Sequence, residues 1–335
     1  MRLLERSWYQ KAVWSPLLRP LSWVFELLVT RRRARYLRYP EHQWRASVPV
    51  VVVGNISVGG TGKTPLVIAL IALYRAQGFR PGVVSRGYGG KPPHYPFHVT
   101  SNASPTESGD EPLLIVRHTG VPLVVDPDRV AAAKWLLAET DCDIIISDDG
   151  LQHYRLARDI EIAVIDGQRG LGNERCLPEG PLREPVSRLQ QVDMVVVNSG
   201  QAHKWPGAFR MDIVPTSLRH LRSGASYSID AWRAGKDGRV HAVAGIGNPS
   251  RFFETLEKIG LQPIEHPFPD HHHYHPDDIE FKDELPVIMT EKDAVKFHNP
   301  LPVDCWALQV EAGLAQEFEE RLLQLTQRIN LQNRT

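Results

Sequence analysis

Residues Val50 to Pro65 read Val-Val-Val-Val-Gly-Asn-Ile-Ser-Val-Gly-Gly-Thr-Gly-Lys-Thr-Pro. A β-branched run of the buried-strand type leads into a glycine-rich loop, and the loop ends in Gly62-Lys63-Thr64 at the start of an apolar helix. This arrangement holds phosphate. Loop amides and a helix N-terminus point at the anion, Lys63 adds a positive charge, and the Thr64 hydroxyl can ligate Mg²⁺. Ser57, Val58, Gly59, Gly60, Thr61, Gly62, Lys63 and Thr64 are therefore the expected cradle of a nucleoside triphosphate. Ser57 stands where the usual phosphate-loop pattern has its first glycine, but Gly59, Gly60 and Gly62 still provide a flexible nest of amides. A glycine-rich strand–helix turn can be merely structural; Gly-Lys-Thr in this setting argues otherwise.

Other chemistry-bearing residues recur at strand ends and in loops. Asp148 and Asp149 close an apolar strand, and ligands of open parallel sheets bind at that edge. A carboxylate there can hold Mg²⁺ directly or through water; the structural alternative is an Asp-Asp-Gly turn that caps a helix. Ser85 to Gly90 forms a second glycine-rich turn, in which Arg86 either stabilises transferring charge or pairs with an acid. Asp110, in Gly-Asp-Glu-Pro before an apolar helix, is either an N-cap worth about 1 kcal/mol or the base that takes a proton from a hydroxyl acceptor. Arg183 and Glu184 lie in the Gly/Pro-rich segment from Asp166 to Pro185. An exposed ion pair there would contribute almost nothing, but a long irregular loop inside a compact domain is usually functional. The tract Pro269-Asp270-His271-His272-His273-Tyr274-His275 superficially suggests a metal. Adjacent histidines rarely converge on one ion and HExxH is absent, so a single histidine partnering a carboxylate is the better expectation.

The elements that must position these residues alternate strand and helix. Strands are expected at Val50 to Gly54, Pro81 to Ser85, Val121 to Val125, Asp143 to Ser147, Ile160 to Ile165 and Val192 to Val197. Helices are expected at Thr64 to Gln77, closed by Gly78, and at Asp128 to Glu139. Repeated βα units imply a parallel sheet between helices. The stretch from Arg222 to Gly238 reads as a linker. Beyond it come strands at Val240 to Gly245 and Pro286 to Thr290, a helix from Gly247-Asn248-Pro249-Ser250 through Ile259, and a polar amphipathic helix from about Leu314 to Ile329. The expected fold is α/β: a P-loop NTPase-like parallel sheet core with an N-terminal amphipathic helix and a second, smaller α/β domain. The expected division is 1–45, 46–225 and 226–335.

At 335 residues the chain has room for two ordinary domains. Lys plus Arg and Asp plus Glu number 39 each, so whole-molecule charge points to neither nucleic acid nor a membrane. Cys142, Cys176 and Cys305 have no paired spacing and fit a reduced compartment. The N-terminus lacks the order of a cleavable signal. Its arm differs from the rest in composition: aromatic and leucine residues fill Trp8 to Leu28, and Arg31, Arg32, Arg33, Arg35 and Arg38 follow. Arg19, Glu26, Pro16 and Pro20 interrupt the apolar run, whereas a span needs about 20 mostly apolar residues. A helix lying in a membrane interface fits this order; the alternative is a helix packed on its own domain beside a solvated arginine patch.

Taken in order, GNISVGGTGKTP, SRGYGGK, GDEP, DDGLQH, LPEGPLREP, AGIGNPSRFF, FPDHH and TEKD resemble the tetraacyldisaccharide 4'-kinase family from about Val50 to Phe297. The resemblance implies transfer of the ATP γ-phosphoryl group to the 4'-hydroxyl of an acylated glucosamine disaccharide 1-phosphate, with ATP and Mg²⁺ as cofactors. It implies a peripheral or monotopic enzyme on the cytoplasmic face of the bacterial inner membrane, reached through the arm; a monomer without a nucleic-acid partner is expected. It carries phosphate and Mg²⁺ handling to Lys63 and Thr64, the metal-side acids to Asp148 and Asp149, and a catalytic pair to Asp110 and His271, with His272 and His273 as rivals for the second place. Glu184 becomes an Mg²⁺ neighbour, and Asn55, Arg86, Arg129, Gln152, His153 and Arg183 become active-site lining. The alternative function is a P-loop ATPase or switch regulating a membrane partner; Thr290-Glu291-Lys292-Asp293 superficially matches a guanine motif, but Glu291 replaces its Asn.

Overall fold

The computed structural model describes residues 2–10, 14–200, 202–234, 237–297 and 304–332. Contacts divide the chain into two compact units, each assembled from separate stretches: 1–86, 121–212 and 313–335 in the first, 87–120 and 213–312 in the second. A contiguous division at residue 225 does not separate the chain this way. The segment around Asp110 belongs with the later part of the sequence, and the last helix returns to the earlier part.

The first unit is a parallel sheet. Its strand order is Phe209–His220 (as far as Asp212), Met194–Asn198, Ile160–Asp166, Val50–Gly54, Ile144–Asp148, Pro81–Ser85 and Leu123–Val125. The first strand in the chain lies at the centre, and successive strands are added first on one side and then on the other. Val50–Gly54 and Ile144–Asp148 are buried along their whole length, which explains their continuous apolar runs: helices cover both faces of such a sheet. The register sets Val53 opposite Asp148, so the strand that opens into the glycine-rich loop and the strand that ends in acids finish side by side. Helix Lys63–Ala76 packs Leu66, Val67, Leu70 and Ile71 against the sheet. Helix Gln316–Gln332 buries Phe318, Leu322 and Thr326, and the Thr326 hydroxyl meets the Tyr74 hydroxyl at 3.0 Å.

The arm also belongs to the first unit. Within helix Arg19–Arg38, Ser22, Phe25, Val29, Arg33 and Tyr36 recur every three or four residues and face the protein. Ser22 Oγ accepts from the Glu179 backbone N–H at 2.9 Å, and Arg19 pairs with the Glu179 carboxylate at 2.9 Å. Apolar and basic residues separate along the axis, with Leu21 to Val29 in the first half and Arg31 to Arg38 in the second, rather than on opposite faces. Facing outward are Leu17, 81% exposed, Leu21, 59%, Val24 and Leu28, 60%. Among the described residues no helix is long and apolar enough to cross a membrane.

The second unit carries parallel strands in the order Gln262–Pro267, Arg239–Ala244, Val287–Thr290 and Cys305–Leu314. Helix Pro249–Lys258 buries Phe252, Phe253 and Leu256 against this group. The expected linker at 222–238 is instead structured over much of its length. It holds strand Ser226–Ser228 and helix Ile229–Arg233, and Trp232 sits in the core with its ring 5.7 Å from that of Trp306. One aromatic anchor outweighs the polar, glycine-containing composition around it. All three cysteines are buried and free.

Candidate active site

The phosphate loop is built by backbone geometry. Gly59 and Gly62 adopt φ of +106° and +87°, a region that side-chain-bearing residues rarely enter. At Gly62 a methyl group would also lie 2.1 Å from Nδ2 of Asn198, which donates to the Thr61 carbonyl at 3.0 Å. Asn55 Nδ2 donates to the Gly59 carbonyl at 3.3 Å and ties the loop's start to its middle. From outside, Val58 N–H donates to the Pro181 carbonyl at 2.8 Å and Arg183 N–H to the Ile56 carbonyl at 2.6 Å. The Gly/Pro-rich segment before Pro185 is thus a brace laid along the phosphate loop.

Among the described residues, no group accepts a hydrogen bond from the backbone N–H of Gly59, Gly60, Thr61 or Gly62, and no side chain caps helix Lys63–Ala76. Free amides at a helix N-terminus, with Lys63 beside them, fit a polyphosphate. The neighbouring donor set is all oxygen: the Thr64 hydroxyl and the carboxylates of Asp148 and Asp149. That chemistry fits Mg²⁺, which takes a few protein oxygens and keeps the rest of its shell for water and phosphate.

Asp148 is buried and accepts from Ser85 Oγ at 3.1 Å. Asp149 follows in the left-handed region at φ +48°, which turns its carboxylate out of the strand line. Lys63 Nζ stands 3.5 Å from Asp149, and Arg183 3.1 Å. Burial alone would raise the Asp149 pKa; Lys63 and Arg183 overcome it and hold the carboxyl well below the usual carboxylate range. Arg129 is 2% exposed, donates to the Asp126 carbonyl at 2.7 Å and to the Asp148 carbonyl at 3.3 Å, and is pushed down to about 10 by burial, which Asp148 and Asp149 oppose. His153 is pushed down to about 4 by burial and by Arg129, so it is neutral at pH 7. Arg86 is exposed at the end of strand Pro81–Ser85.

Glu184, expected beside Mg²⁺, is held by side chains at both carboxylate oxygens. One carboxylate oxygen accepts from Gln152 Nε2 at 2.6 Å; the other accepts from the Tyr154 hydroxyl at 2.6 Å and from Arg188 at 3.1 Å. Gln152 also donates to the Asn55 carbonyl at 3.1 Å. Buried and engaged at both oxygens, Glu184 is tied to the loop through Gln152. Gln152 is a strut of the same network, and Asn55 approaches Lys63 Nζ at 3.5 Å.

The second unit holds its own cluster. Asp110 opens helix Asp110–Thr119, and its Oδ2 lies 3.2 Å from Nδ1 of His271. His271 adopts φ +59°, and its ring centroid is 5.1 Å from that of Tyr88. Of the three consecutive histidines it is His271 that meets Asp110; His272 pairs with Asp278 at 3.0 Å and stacks on Phe268. Reading the sequence missed the cations here. Lys296 Nζ lies 3.8 Å from Asp110 and 2.8 Å from the fully buried Asp293, while Lys292 bridges Glu111 at 2.9 Å and Asp270 at 3.3 Å. Burial would depress the Lys292 pKa, but Glu111 and Asp270 raise it well above the usual value. The available signal was the Thr290-Glu291-Lys292-Asp293 string, whose lysine and acid look like ordinary surface charges until the fold buries them. Among the described residues no three His, Cys, Asp or Glu side chains form a metal-holding group.

A parallel sheet whose order of strand addition reverses beside the strand that opens into a glycine-rich loop, with Lys63 at the helix start and acids on the adjoining strand, defines a P-loop nucleotide-binding α/β protein. A family model described as Tetraacyldisaccharide-1-P 4'-kinase matches residues 14–327, and the chain belongs to that family. It is 52% identical to the Tetraacyldisaccharide 4'-kinase of Azotobacter vinelandii over 319 residues, covering 95% of each chain. It is 52% identical to that of Pseudomonas putida strain W619 over 311 residues, covering 93% of this chain and 91% of the relative. Among solved structures, the "apo" form LpxK from Aquifex aeolicus in complex with ATP aligns with a TM-score of 0.77 at 27% identity, covering 93% of this chain and 99% of that one.

Proposed function

We propose that this ATP-dependent kinase transfers the γ-phosphoryl group of ATP to the 4'-hydroxyl of a tetraacylated glucosamine disaccharide 1-phosphate. The observation that carries the reading is the set of free amides from Gly59 to Gly62 beside Lys63, within a chain of this family. The loop and Lys63 bind the β- and γ-phosphates. Thr64, Asp148 and Asp149 would hold Mg²⁺, which supplies neutralising charge to the phosphates when bound. Asp110, oriented by His271, takes the proton of the 4'-hydroxyl as its oxygen bonds to the γ-phosphorus; the bond from that phosphorus to the bridging oxygen breaks and ADP leaves. Arg86 and Arg183 add positive charge at the sheet edge. Such a reaction is mostly positioning and electrostatics.

The arm is proposed to rest on the cytoplasmic face of the inner membrane. Its outward leucines supply apolar area, and each following arginine near an anionic leaflet is worth about 1 kcal/mol. Incubation with γ-labelled ATP, Mg²⁺ and the glycolipid acceptor tests the reaction. Label in the lipid is expected; label released as free phosphate, unaffected by the acceptor, would instead make the chain an ATPase or switch.

A further inference from the structure

Asp110 is held by a chain of contacts that starts in the sheet of the second unit. Strands Arg239–Ala244 and Val287–Thr290 run parallel as neighbours, and the residues at their ends donate to one carboxylate. Asp293 Oδ2 accepts from the Gly245 backbone N–H at 3.0 Å and from the Thr290 hydroxyl at 2.6 Å. Its Oδ1 accepts from Lys296 Nζ at 2.8 Å, and the same Nζ stands 3.8 Å from Asp110 Oδ2. We propose that Lys296 is a positioning residue of the phosphoryl transfer: with His271 it fixes Asp110 Oδ2, so that Oδ1 is the oxygen that takes the hydroxyl proton. This rests on the kinase reading above and deepens its account of the base.

Burial makes the strut rigid. The Lys296 side chain is 6% exposed and Asp293 is fully buried, so neither charge can leave the other for water without a large cost. Nζ also lies 5.2 Å from the centre of the Tyr274 ring, which stacks on Phe297. Gly245 allows this close approach: a methyl there would lie 2.6 Å from the Tyr274 hydroxyl and 3.0 Å from Asp293 Oδ1. A lysine in water is a charge on a flexible stem; one whose ammonium is fastened to a buried carboxylate holds a fixed place.

The two oxygens of Asp110 differ in their surroundings. Oδ2 meets His271 Nδ1 at 3.2 Å and Lys296 Nζ at 3.8 Å, whereas among the described residues no group bonds Oδ1. A carboxylate held at one oxygen by two groups presents the other in a set direction, which is the preorganisation that proton transfer needs. The charge balance suits a base as well. Lys296 and Asp293 together are close to neutral, so the pair orients Asp110 without setting an uncompensated cation beside the group that must accept a proton. Lys292, nearby on the same turn, is compensated by Glu111 and Asp270.

The test measures steady-state kinetics of the full chain with γ-labelled ATP, Mg²⁺ and the glycolipid acceptor in detergent micelles, in two backgrounds. Lys296→Met is expected to lower kcat about 10- to 100-fold with KM for ATP and for the acceptor within about twofold of wild type. In the Asp110→Ala background the same substitution is expected to cost nothing further, because Lys296 acts only through Asp110; a residue that merely supported the fold would cost the same in both. Lys296→Met alone leaves Asp293 buried without its cation. Lys296→Met with Asp293→Asn, which removes both charges, is therefore measured beside it and is expected to keep the wild-type melting temperature and show the same loss of kcat. A kcat within about twofold of wild type in that folded variant, or equal losses with and without Asp110, would overturn the assignment. So would a loss carried by the KM for ATP. If the wild type itself transfers no label to the acceptor, the kinase reading fails instead.

Discussion

Asp149 Oδ1 and Lys63 Nζ stand 3.5 Å apart, one just after strand Ile144–Asp148 and the other at the helix that follows the loop after the neighbouring strand Val50–Gly54. Neither residue reaches the other by local structure: Lys63 comes at the start of a helix, and Asp149 is turned toward it by a left-handed backbone. The pair couples the carboxylate proposed to stand beside Mg²⁺ to the lysine proposed to meet phosphate.

This coupling has a pH signature. The folded-state pKa of Asp149 lies below its ordinary value of 3.8, so the charged form is favoured by folding. Its contribution is present in full above that ordinary value and is lost as pH falls through the depressed one. Because the carboxylate is a third exposed, about 1 kcal/mol is expected. Denaturant unfolding of Asp149→Asn against wild type should show a constant gap from pH 7 to about 5 that closes only in strong acid.

Asp110→Ala should lower kcat by about 10²- to 10⁴-fold with little change in the KM for ATP, because it removes an interaction made in the transition state. His271→Ala should fall in the same direction, and the double variant should lose much less than the product of the two, as expected of groups 3.2 Å apart that act together. Additive losses would separate their roles. Steady-state kinetics of the three variants decides.

Two neighbouring glycines should respond differently. Gly62→Ala places a methyl 2.1 Å from Asn198 Nδ2 at φ +87°, and should cost at least about 1 kcal/mol and abolish nucleotide binding. At Gly60 a methyl meets nothing within 4 Å, so Gly60→Ala should leave the melting temperature unchanged. Thermal unfolding with and without ATP reads both.

Leu21→Glu with Leu28→Glu alters outward positions only and should leave stability within about 0.5 kcal/mol of wild type. The same double variant should lose most of its cosedimentation with anionic vesicles. Retained cosedimentation would move membrane docking elsewhere.

Much of this protein was legible in its chain. The continuous valines before Gly54, the Gly-Lys-Thr string and the apolar strand before Asp148 each report a local requirement: burial on both faces, a tight turn, a sheet edge. Local chemistry therefore fixed the strand-and-helix alternation and the phosphate loop. Boundaries moved by a residue or two, as at Ile144–Asp148, because a sheet's register decides where pairing stops.

What lay beyond the chain's reach was decided by long-range contact. Sequence offered three histidines to Asp110, and only the backbone turn at His271 brings one ring to it. The partners that hold Glu184, namely Gln152, Tyr154 and Arg188, come together only in the fold. Lys296 and Asp293 are buried together only by folding, and the last helix looked like the end of the second unit until Thr326 met Tyr74. A residue type and its spacing state what a side chain can do; the partners that consume or release that capacity come from segments far away in the chain, and only their packing selects among the possibilities.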